Sequence, residues 1–378
     1  MNETNKRGKN PSVKTKMLLI ARTGGRCQFK GCNNNLFIDE FTLKEFNSSN
    51  VAHIVASSPD GPRGNNDSYK LSDNIDNLML LCPEHHSMID KYPEQYPTED
   101  LVEMKTEQEL KVAKLLDEMD FPESEIIAFE AKIKNIDDVS VDTKLACEAM
   151  RLKGYKPAFT NKRVIKIDSS YDYKDPEYWK YVDHTLEQKF QSTIEGIISS
   201  EPNKRFSIFP LAPIPLIIKL GYLFGDKKTI DIYQKFREPD SWSWQSENET
   251  NKFEVRKITR NDNKKIAVIL SVSSMIDINR INKVDDFGIV YHLQAKECGV
   301  NAIKSLKDLE CFWQKYLEML DTIKNIDSIN EISLFFAIPV SAAFMVGNKF
   351  MKRIHPKIRI YDDYDGFFET LAIGDNDD

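Results

Sequence analysis

The sequence lacks any apolar run that approaches the roughly 20 residues needed to cross a bilayer, so it predicts no membrane span. The polar, basic N-terminus has no hydrophobic stretch typical of a secretory signal, which favours a cytoplasmic location. No internal repeat and no low-complexity tract is evident. With 378 residues, 41% of them hydrophobic and 29% charged, the chain has the composition of a globular protein with room for two domains.

Acidic residues are nearly absent from the first 35 positions, although the whole chain has a formal charge of −7. Glu3 is the single acid there, against the basic residues Lys6, Arg7, Lys9, Lys14, Lys16, Arg22, Arg26 and Lys30. A local basic arm on an acidic chain can contact phosphates while the remaining surface stays soluble. A solubilising tail explains the same residues equally well, so both interpretations stay open.

Cysteines are few, and they are unevenly placed. Three of the six cysteines and three of the six histidines lie within the first hundred residues. In a reducing compartment such clustering favours metal binding over disulfides. Two chelating pairs, Cys27-x4-Cys32 and Cys82-x2-His85, together provide the four ligands of a closed tetrahedral zinc site. The alternative, that these are buried core cysteines, fits two paired spacings poorly.

The elements predicted around these pairs follow the order strand, long loop, short strand, helix. An extended stretch over 51–55 precedes a loop rich in Gly, Pro, Asn and Ser, and residues 77–81 form a compact apolar run. Pro83 stands where the first turn of a helix would begin. That helix carries His86, directly after the last zinc ligand, and Asp90.

Two further residues, His53 and His86, are of the types that metal-assisted hydrolysis uses. Such a reaction needs a base for water, a cation for the developing oxyanion charge and a scaffold that holds both. Neutral His53 can accept a proton from water near neutral pH. We expect His86 to bind a catalytic divalent cation, Mg²⁺.

The order His53, Asn77, His86, interleaved with the zinc pairs, resembles zinc-stabilised HNH endonucleases of the ββα-metal fold. The resemblance implies metal-dependent cleavage of DNA, with Asn77 orienting the loop that carries His53 or assisting the metal. Many family members have Asp or His directly before the base, where this chain has Ala52. The second protein ligand of the catalytic cation therefore stays open between Asp90 and Asn77.

One arginine near the motif also suits a phosphate. Arg63 lies in the loop between the two short strands, in Gly61-Pro62-Arg63-Gly64. Its guanidinium can clamp a phosphate through two hydrogen bonds. An exposed loop arginine without a ligand is an equally good interpretation.

Beyond residue 97 the sequence predicts a connector and a second domain. Residues 98–119 form a charged amphipathic helix, Pro122 breaks it, and residues 123–136 are predicted to be helical again. Strand-like and helical runs then alternate, which is typical of an α/β domain with a mainly parallel sheet. The strand candidates are 164–167, 206–209, 230–233, 266–272, 288–293, 332–338 and 358–361. We predict a nuclease domain over 1–110, a helical connector over 111–158 and an α/β domain over 159–378.

The α/β region has no paired cysteines and no Gly-rich phosphate loop, so it offers no catalytic cluster of its own. Three of its motifs are similar to those of SAVED domains, which are sensors of cyclic oligonucleotides related to two fused CRISPR-associated (CARF-related) Rossmann units. These motifs are Tyr233-Gln234-x-x-Arg237 with Trp242-x-Trp244, the run from Ile269 to Ser274, and the run from Phe335 to Ala343 that continues to Gly347.

The combination resembles the HNH–SAVED effector nucleases of bacterial CBASS antiphage systems. The resemblance implies a cyclic di- or trinucleotide messenger that binds the sensor and assembles effector copies into a homo-oligomer. The assembled nucleases would then degrade double-stranded DNA. A restriction-type HNH enzyme whose C-terminal domain reads modified DNA is the alternative, and a non-catalytic zinc protein ranks third.

Physical arguments support several of the sensor residues that these motifs suggest. A purine base needs a flat partner, and phosphates need amide groups, hydroxyls or an arginine. Serines that follow strands lie at the strand carboxyl ends, where ligands collect. The candidate ligand-binding residues are Gln234, Arg237, Trp242, Trp244, Ser273, Ser274, Pro339 and Ser341. The structural alternatives are a helix cap for Ser341 and core positions for the two tryptophans.

Overall fold

The computed structural model describes residues 8–39, 41–134, 136, 139–159, 162–226, 229–245, 250–325 and 329–374. The chain divides into two compact units, Met1–Asp120 and Phe121–Asp378. No helix within the described ranges is both long enough and apolar enough to span a bilayer. Two residues of the predicted basic arm, Lys6 and Arg7, lie outside the described residues.

The first unit is built on two short strands and a helix. Its elements are α1 (Val13–Thr23), β1 (Asn50–His53), α2 (Ser68–Leu71), β2 (Leu78–Leu81), α3 (Pro83–Lys91) and α4 (Thr98–Asp117). The two strands pair antiparallel, with His53 opposite Leu78. Every residue of β2 is buried, so this strand forms the centre of a small apolar core. The order β1, β2, α3 is the ββα arrangement that the sequence predicts.

Helix α1 is fixed at both ends. The Ser12 hydroxyl accepts a backbone N–H of the first turn, and the helix ends at Gly24, whose φ of 60° favours glycine. Leu19 is fully buried in the core. The Gln108 side chain of α4 donates a hydrogen bond to the Thr23 carbonyl oxygen at 3.0 Å. These contacts hold α1 in place against the rest of the first unit.

The second unit contains two larger sheets. The first is parallel throughout, in the order β4-β3-β6-β7, and β5 also pairs with β3. A short antiparallel hairpin of β8 and β9 follows it. The elements are β3 (Glu123–Ala131), α5 (Thr143–Leu152), β4 (Lys156–Pro157), β5 (Arg163–Ile167), α6 (Pro176–Phe190), α7 (Gly196–Ser200), β6 (Arg205–Leu211), α8 (Ile214–Phe224), β7 (Thr229–Ile232), β8 (Phe236–Arg237) and β9 (Asp240–Ser241).

Strand β3 overturns the predicted helix over 123–136, so the helical connector is wrong in its central part. Eight of the nine residues of β3 are buried, and the strand pairs with β6 and with β4 and β5. Two acidic residues of this strand, Glu125 and Glu130, interrupt its apolar run. Glu125 accepts a hydrogen bond from Arg163 at 3.1 Å, and Glu130 accepts one from Lys162 at 2.8 Å. Because these partners lie more than 30 positions away, the sequence pattern alone does not reveal a central strand.

The second sheet is mixed, in the order β10-β12-β11-β13-β14-β15. Its four inner strands are parallel, and the edge strands β10 and β15 are antiparallel to their neighbours. The elements are β10 (Phe253–Thr259), β11 (Ile266–Ser271), α9 (Ile278–Ile281), β12 (Ile289–Ala295), α10 (Leu306–Lys324), β13 (Glu331–Ala337), α11 (Val340–Asn348), β14 (Lys357–Asp363) and β15 (Phe367–Ile373). The predicted parallel sheet is therefore divided between two sheets.

Helices α8 and α11 pack closely against each other through two glycines. A Cβ atom on Gly221 or on Gly347 would overlap a carbonyl oxygen of the opposite helix. Each helix follows a strand and a proline, Pro213 or Pro339, and each glycine comes eight positions after its proline. The second unit thus contains two strand–helix pairs that share the same spacing of proline and glycine.

Candidate functional site

The four predicted zinc ligands come together in the first unit. The Sγ atoms of Cys27, Cys32 and Cys82 and a ring nitrogen of His85 all lie within 4.8 Å of one another. His85 Nδ1 is 3.0 Å from Cys82 Sγ and 3.7 Å from Cys27 Sγ. The first pair lies on the turn after α1, and the second lies at the start of α3. Three sulfurs and one imidazole form a donor set that fits structural zinc.

The surroundings of this cluster hold its side chains in place. The Phe29 ring stacks on the His85 ring with centroids 4.0 Å apart. The Cys82 backbone N–H points at Cys27 Sγ at 3.4 Å. Burial raises the pKa of the Cys27 thiol, and it raises the pKa of Cys82 to about 12. Both sulfurs therefore favour the neutral form unless a cation lies against them.

The cluster stands beside a cleft of 930 Å³ that brings His53, His86 and Asp90 together. His53 is the last residue of β1, and the other two lie four positions apart on α3, on one helix face. His86 Nε2 is 3.4 Å from Asp90 Oδ2. Because Cys82 and His85 fix the first turn of α3, a metal bound to them would also fix the direction of His86.

A backbone carbonyl orients the imidazole of His53. Its Nε2 lies 3.0 Å from the Ser72 carbonyl oxygen. Since a carbonyl only accepts, we assign the proton to Nε2, which leaves the lone pair of the neutral ring on Nδ1. In this tautomer Nδ1 is the ring nitrogen that can accept a proton. Every residue offers a carbonyl, so the sequence contains no signal for this contact.

Asn77 is buried, and its amide contacts the backbone on two sides. Its Nδ2 donates to the carbonyl oxygens of Val55 at 2.9 Å and Leu71 at 3.2 Å, and its Oδ1 accepts from the Val55 N–H at 2.8 Å. These bonds hold the segment that follows His53. They favour the loop-orienting role for Asn77 over a role at the metal.

Of the two candidates for a second cation ligand, Asp90 is the better placed. Ala52 is fully buried, and in a strand its side chain points to the face opposite His53. Asp90 lines the cleft and directs a carboxylate oxygen towards His86, whereas the Asn77 oxygen is occupied by backbone.

Arg63 is neither a phosphate clamp nor an exposed loop arginine, which corrects both interpretations. Its side chain is 6% exposed. Its Nε donates to the Ile54 carbonyl oxygen at 2.6 Å and its Nη1 to that of Ile89 at 2.7 Å. Its Nη2 lies 3.3 Å from Asp90 Oδ1. The planar guanidinium therefore joins the segment after β1 to α3 and holds the carboxylate beside His86.

Among the predicted sensor residues, Gln234 and Ser341 contact each other directly. The Gln234 Oε1 accepts hydrogen bonds from the Ser341 N–H at 3.2 Å and from its hydroxyl at 2.8 Å. Both residues are buried, and Pro339 occupies the N-cap position of the same helix, α11. Gln234 thus links the end of the first sheet to the helix that follows β13.

The tryptophans have packing roles. Trp242 is fully buried, and its ring meets the Phe209 ring edge-on at 5.2 Å. The prediction that Trp242 stacks on a base is wrong in this structure, because no face of the ring is open. Trp244 is partly buried and packs against the Phe236 ring at 6.2 Å.

The remaining predicted residues lie at surfaces. Ser274 is exposed, and the Ser273 N–H donates to the Ala337 carbonyl oxygen at 2.7 Å. Both serines therefore lie at the carboxyl ends of β11 and β13, where the sequence predicts them. Arg237 is exposed on β8.

A polar cleft of 830 Å³ opens near the same edge of the sheet. The loop after β12 lines it, and the Gly299 N–H of this loop donates to the carbonyl oxygen of Val272, which follows β11. None of the eight predicted sensor residues is among the described residues that line this cleft. The lining includes Asn251, Glu297 and Lys304, which form no recognisable motif.

Two family models match the chain. Residues 27–93 match the model of the HNH endonuclease, and residues 186–373 match that of SAVED, the SMODS-associated and fused to various effectors sensor domain. The first match contains the zinc cluster, His53 and His86. The second contains all eight predicted sensor residues. No curated protein matches the sequence.

Several solved structures are similar to the chain. They include the Acinetobacter baumannii Cap4 SAVED/CARF-domain containing receptor with the cyclic trinucleotide 2'3'3'-cAAA, at 14% identity and a TM-score of 0.45, covering 76% of this chain and 61% of that one. The same receptor with 3'3'3'-cAAA has 15% identity and a TM-score of 0.45, covering 76% and 62%. The Moraxella osloensis Cap4 receptor has 13% identity and a TM-score of 0.40, covering 76% and 60%. The chain spans about three fifths of the length of these structures.

The fold and the site define an endonuclease domain that is joined to a sensor domain. More particularly, the chain carries an HNH endonuclease domain in its N-terminal part and a SAVED domain in its C-terminal part. The two family models confirm the resemblance to HNH endonucleases and to SAVED domains, and the structure confirms the mixed α/β class of the fold, although not its helical connector.

Proposed function

We propose that the chain is a metal-dependent endonuclease that cuts double-stranded DNA when a cyclic di- or trinucleotide binds its SAVED domain, as an antiphage effector of the CBASS type. The observation that carries this proposal is the convergence of His53, His86 and Asp90 on one cleft beside a four-donor cluster. The two family matches support the pairing of a nuclease with a sensor.

His53 acts as the general base. Its Nε2–H stays bonded to the Ser72 carbonyl, so Nδ1 is free to accept the proton of a water molecule that attacks the phosphorus atom. The bonds from Asn77 to Val55 keep the end of β1 in place while the ring gains charge. The carbonyl that orients the ring also stabilises the imidazolium, because it accepts a stronger hydrogen bond from a charged donor.

His86 and Asp90 would hold the catalytic cation; the Asp90 carboxylate suits a hard divalent ion such as Mg²⁺, which would take its other oxygen ligands from water and phosphate. When bound, this ion supplies positive charge for the phosphate oxygens and for the departing 3′ oxygen. Arg63 keeps the Asp90 carboxylate turned towards His86. Cys27, Cys32, Cys82 and His85 would hold Zn²⁺, whose part is structural: it fixes the start of the helix that carries His86.

A plasmid-cleavage assay with Mg²⁺ and a panel of cyclic di- and trinucleotides tests the proposal. We expect cleavage with at least one member of the panel and none without it. His53→Ala should lower the rate about a hundredfold or more. His184→Ala removes an exposed histidine of α6 and should change nothing. Equal cleavage with and without nucleotides would contradict activation through the SAVED domain. An active His53→Ala variant would contradict the role of His53 as general base.

The alternative function is a restriction-type enzyme whose C-terminal domain reads modified DNA. The same assay distinguishes it, because cleavage would then depend on plasmid methylation and ignore every cyclic nucleotide. The SAVED match counts against this alternative.

We also propose that the messenger acts by favouring a larger homo-oligomer, since an always-active nuclease would destroy the host genome. A ligand that binds the assembled form better shifts the equilibrium towards it. Light scattering of the His53→Ala variant should show a rise in molar mass when the activating nucleotide is added. A constant mass would exclude assembly as the switch.

A further inference from the structure

The cleft that contains His53 and His86 has a second wall, for which the mechanism above has no role. The N-terminal segment and α1 form this wall, and the residues that line it there are Asn10, Pro11, Lys16 and Ile20. Lys16 is the cation among them and is exposed. Within the described part of the chain, its ammonium group has neither an ion-pair partner nor a hydrogen-bond acceptor.

The position of this wall is well determined by contacts on both sides of Lys16. The Ser12 N–H donates to Asp73 Oδ1 at 2.7 Å, and Leu19 is buried in the core. Further towards the N-terminus, the Gly8 N–H donates to the Ser57 carbonyl oxygen at 2.8 Å, and Ser57 itself lines the cleft. The ammonium group of Lys16 is thus unpaired within the described residues, and contacts on both sides hold the backbone that carries it.

The arm also lies directly against the segment that orients the base. A Cβ atom on Gly8 would come within 2.6 Å of Ser72 Cβ, and the Ser72 carbonyl accepts the hydrogen bond from His53. The second wall and the catalytic base are therefore parts of one packed arrangement. A substrate in this cleft can therefore contact His53 and this wall at the same time.

The charges of the two walls suit a polyanionic strand. Asp90 is the acid among the described residues that line the cleft, and it stands on the wall of His86. The wall formed by the N-terminal segment and α1 presents the ammonium of Lys16, which has no acid beside it among the described lining residues of that wall. A lysine is a compact point charge that binds phosphate without demanding one orientation. Lys14, two positions away on the same helix, does not line the cleft.

We propose that Lys16 is a substrate-binding residue whose ammonium binds a DNA backbone phosphate next to the phosphate that is cleaved. This inference rests on the proposed nuclease function. Among the basic residues of the predicted arm, Lys16 then contacts the substrate, and others such as Lys14 do not.

The salt dependence of DNA binding tests the proposal. Each phosphate contact on duplex DNA contributes about 0.9 to the slope of log K against log salt concentration. Full-length His53→Ala protein is titrated with a fluorescent duplex over a fourfold range of salt, with and without the activating nucleotide. Lys16→Gln, combined with His53→Ala, should reduce the magnitude of this slope by about 0.9. Across the fourfold range of salt, the loss of affinity should then be smaller by a factor of about 3.5 than in the protein that keeps Lys16. Lys16→Arg should restore most of the slope.

Lys14→Gln is the matched control, because it removes the same charge from the same helix. We expect it to change the slope by much less than Lys16→Gln. Equal slopes for both variants would overturn the assignment and reduce the arm to a diffuse positive field. An unchanged slope in Lys16→Gln would overturn it as well, while the nuclease function would stand. If the His53→Ala protein binds no duplex in either condition, the proposed function fails and the subsite fails with it.

Discussion

Arg63 shows how a single buried side chain positions a site without touching a substrate. It has a positive φ of 54°, and its guanidinium reaches two carbonyl oxygens and the Asp90 carboxylate from one point. A lysine has no planar fork and cannot serve three directions at once. The three contacts therefore require arginine.

We expect Arg63→Lys to lower the free energy of unfolding by about 2 to 3 kcal/mol, because it leaves a buried carbonyl without a donor. It should also raise the Mg²⁺ concentration needed for half-maximal cleavage, because Asp90 loses its anchor. Urea denaturation and a Mg²⁺ titration of cleavage measure the two effects. Arg22→Lys, at an exposed pair with Asp76, should cost under about 1 kcal/mol. If Arg63→Lys behaves like this control, the positioning role is refuted.

Asp362 gives the second unit a pH dependence of unusual sign. It is buried, and the Tyr173 hydroxyl donates to it. Burial raises the pKa of Asp362 above its ordinary value of about 3.9. The folded state therefore binds more protons than the unfolded state, and this group's contribution to stability declines as pH rises from about 4 to the folded pKa.

We predict that Asp362→Asn, which keeps an acceptor for Tyr173, reduces that decline in urea denaturation measured at several pH values. Asp363 provides a control of opposite sign. The Arg280 guanidinium bonds to it at 2.6 and 2.7 Å and holds the pKa of Asp363 below its usual range, against the effect of its partial burial. Asp363→Asn should therefore remove stability that is present above pH 4. Parallel pH profiles for the two variants would contradict both assignments.

At the scale of elements, the crossing of α8 and α11 is the most demanding contact in the second unit. Gly347→Ala places a methyl group where the opposite helix has a carbonyl oxygen, so the helices must separate. We expect a loss of about 1 to 3 kcal/mol in the free energy of unfolding, as for overpacked cores.

Gly196→Ala in α7 is the matched control, because its Cβ would meet nothing within 4 Å. There we expect a gain of about 0.5 to 1 kcal/mol from the lower entropy of the unfolded chain. Thermal or urea denaturation of both variants checks the pair. An unchanged free energy of unfolding in Gly347→Ala would mean that the close approach of the two helices does not contribute to stability.

The elements also show where sequence patterns succeed and where they fail. The ββα order was predictable because prolines, glycines and paired ligands mark its boundaries locally. Strand β3 was not, because Glu125 and Glu130 interrupt its apolar run and their partners are distant in sequence. The edge strands β10 and β15 were missed since an edge strand needs only partial burial, and β10 alternates with charged residues.

At the scale of the whole molecule, the two units have separate cores, so loss of zinc should affect only the first. All four tryptophans, Trp179, Trp242, Trp244 and Trp313, belong to the second unit. We predict that a strong chelator lowers the helical circular dichroism signal and leaves the tryptophan emission maximum unchanged.

Cys32→Ser should reproduce the effect of the chelator, and Cys311→Ser, remote from the cluster in sequence and in the other unit, should not. Metal analysis of the purified protein should find about one zinc per chain, and less in Cys32→Ser. A shift of tryptophan emission on chelation, or full helicity in the metal-free protein, would contradict a structural zinc confined to the first unit.

The candidate site was predictable to different depths in the two units. Ligand spacing and the order of His53, Asn77 and His86 predict the nuclease cleft, because metal coordination restricts both the residue types and the distances between them. The sensor residues were chosen from loose motifs, residue type and position after strands, and none of these separates an aromatic ring that binds a base from one that fills a core. Trp242 illustrates this, since only packing against Phe209 reveals its role.

The two glycine notches of α8 and α11 also determine how the protein can be cut into pieces. Each notch is occupied by the backbone of the other helix, so a fragment that ends between β9 and β10 would uncover one of them together with the surrounding apolar side chains. Such fragments should associate with one another in solution instead of remaining monomeric. Truncation studies of ligand binding therefore need to keep residues 121–378 as a single piece.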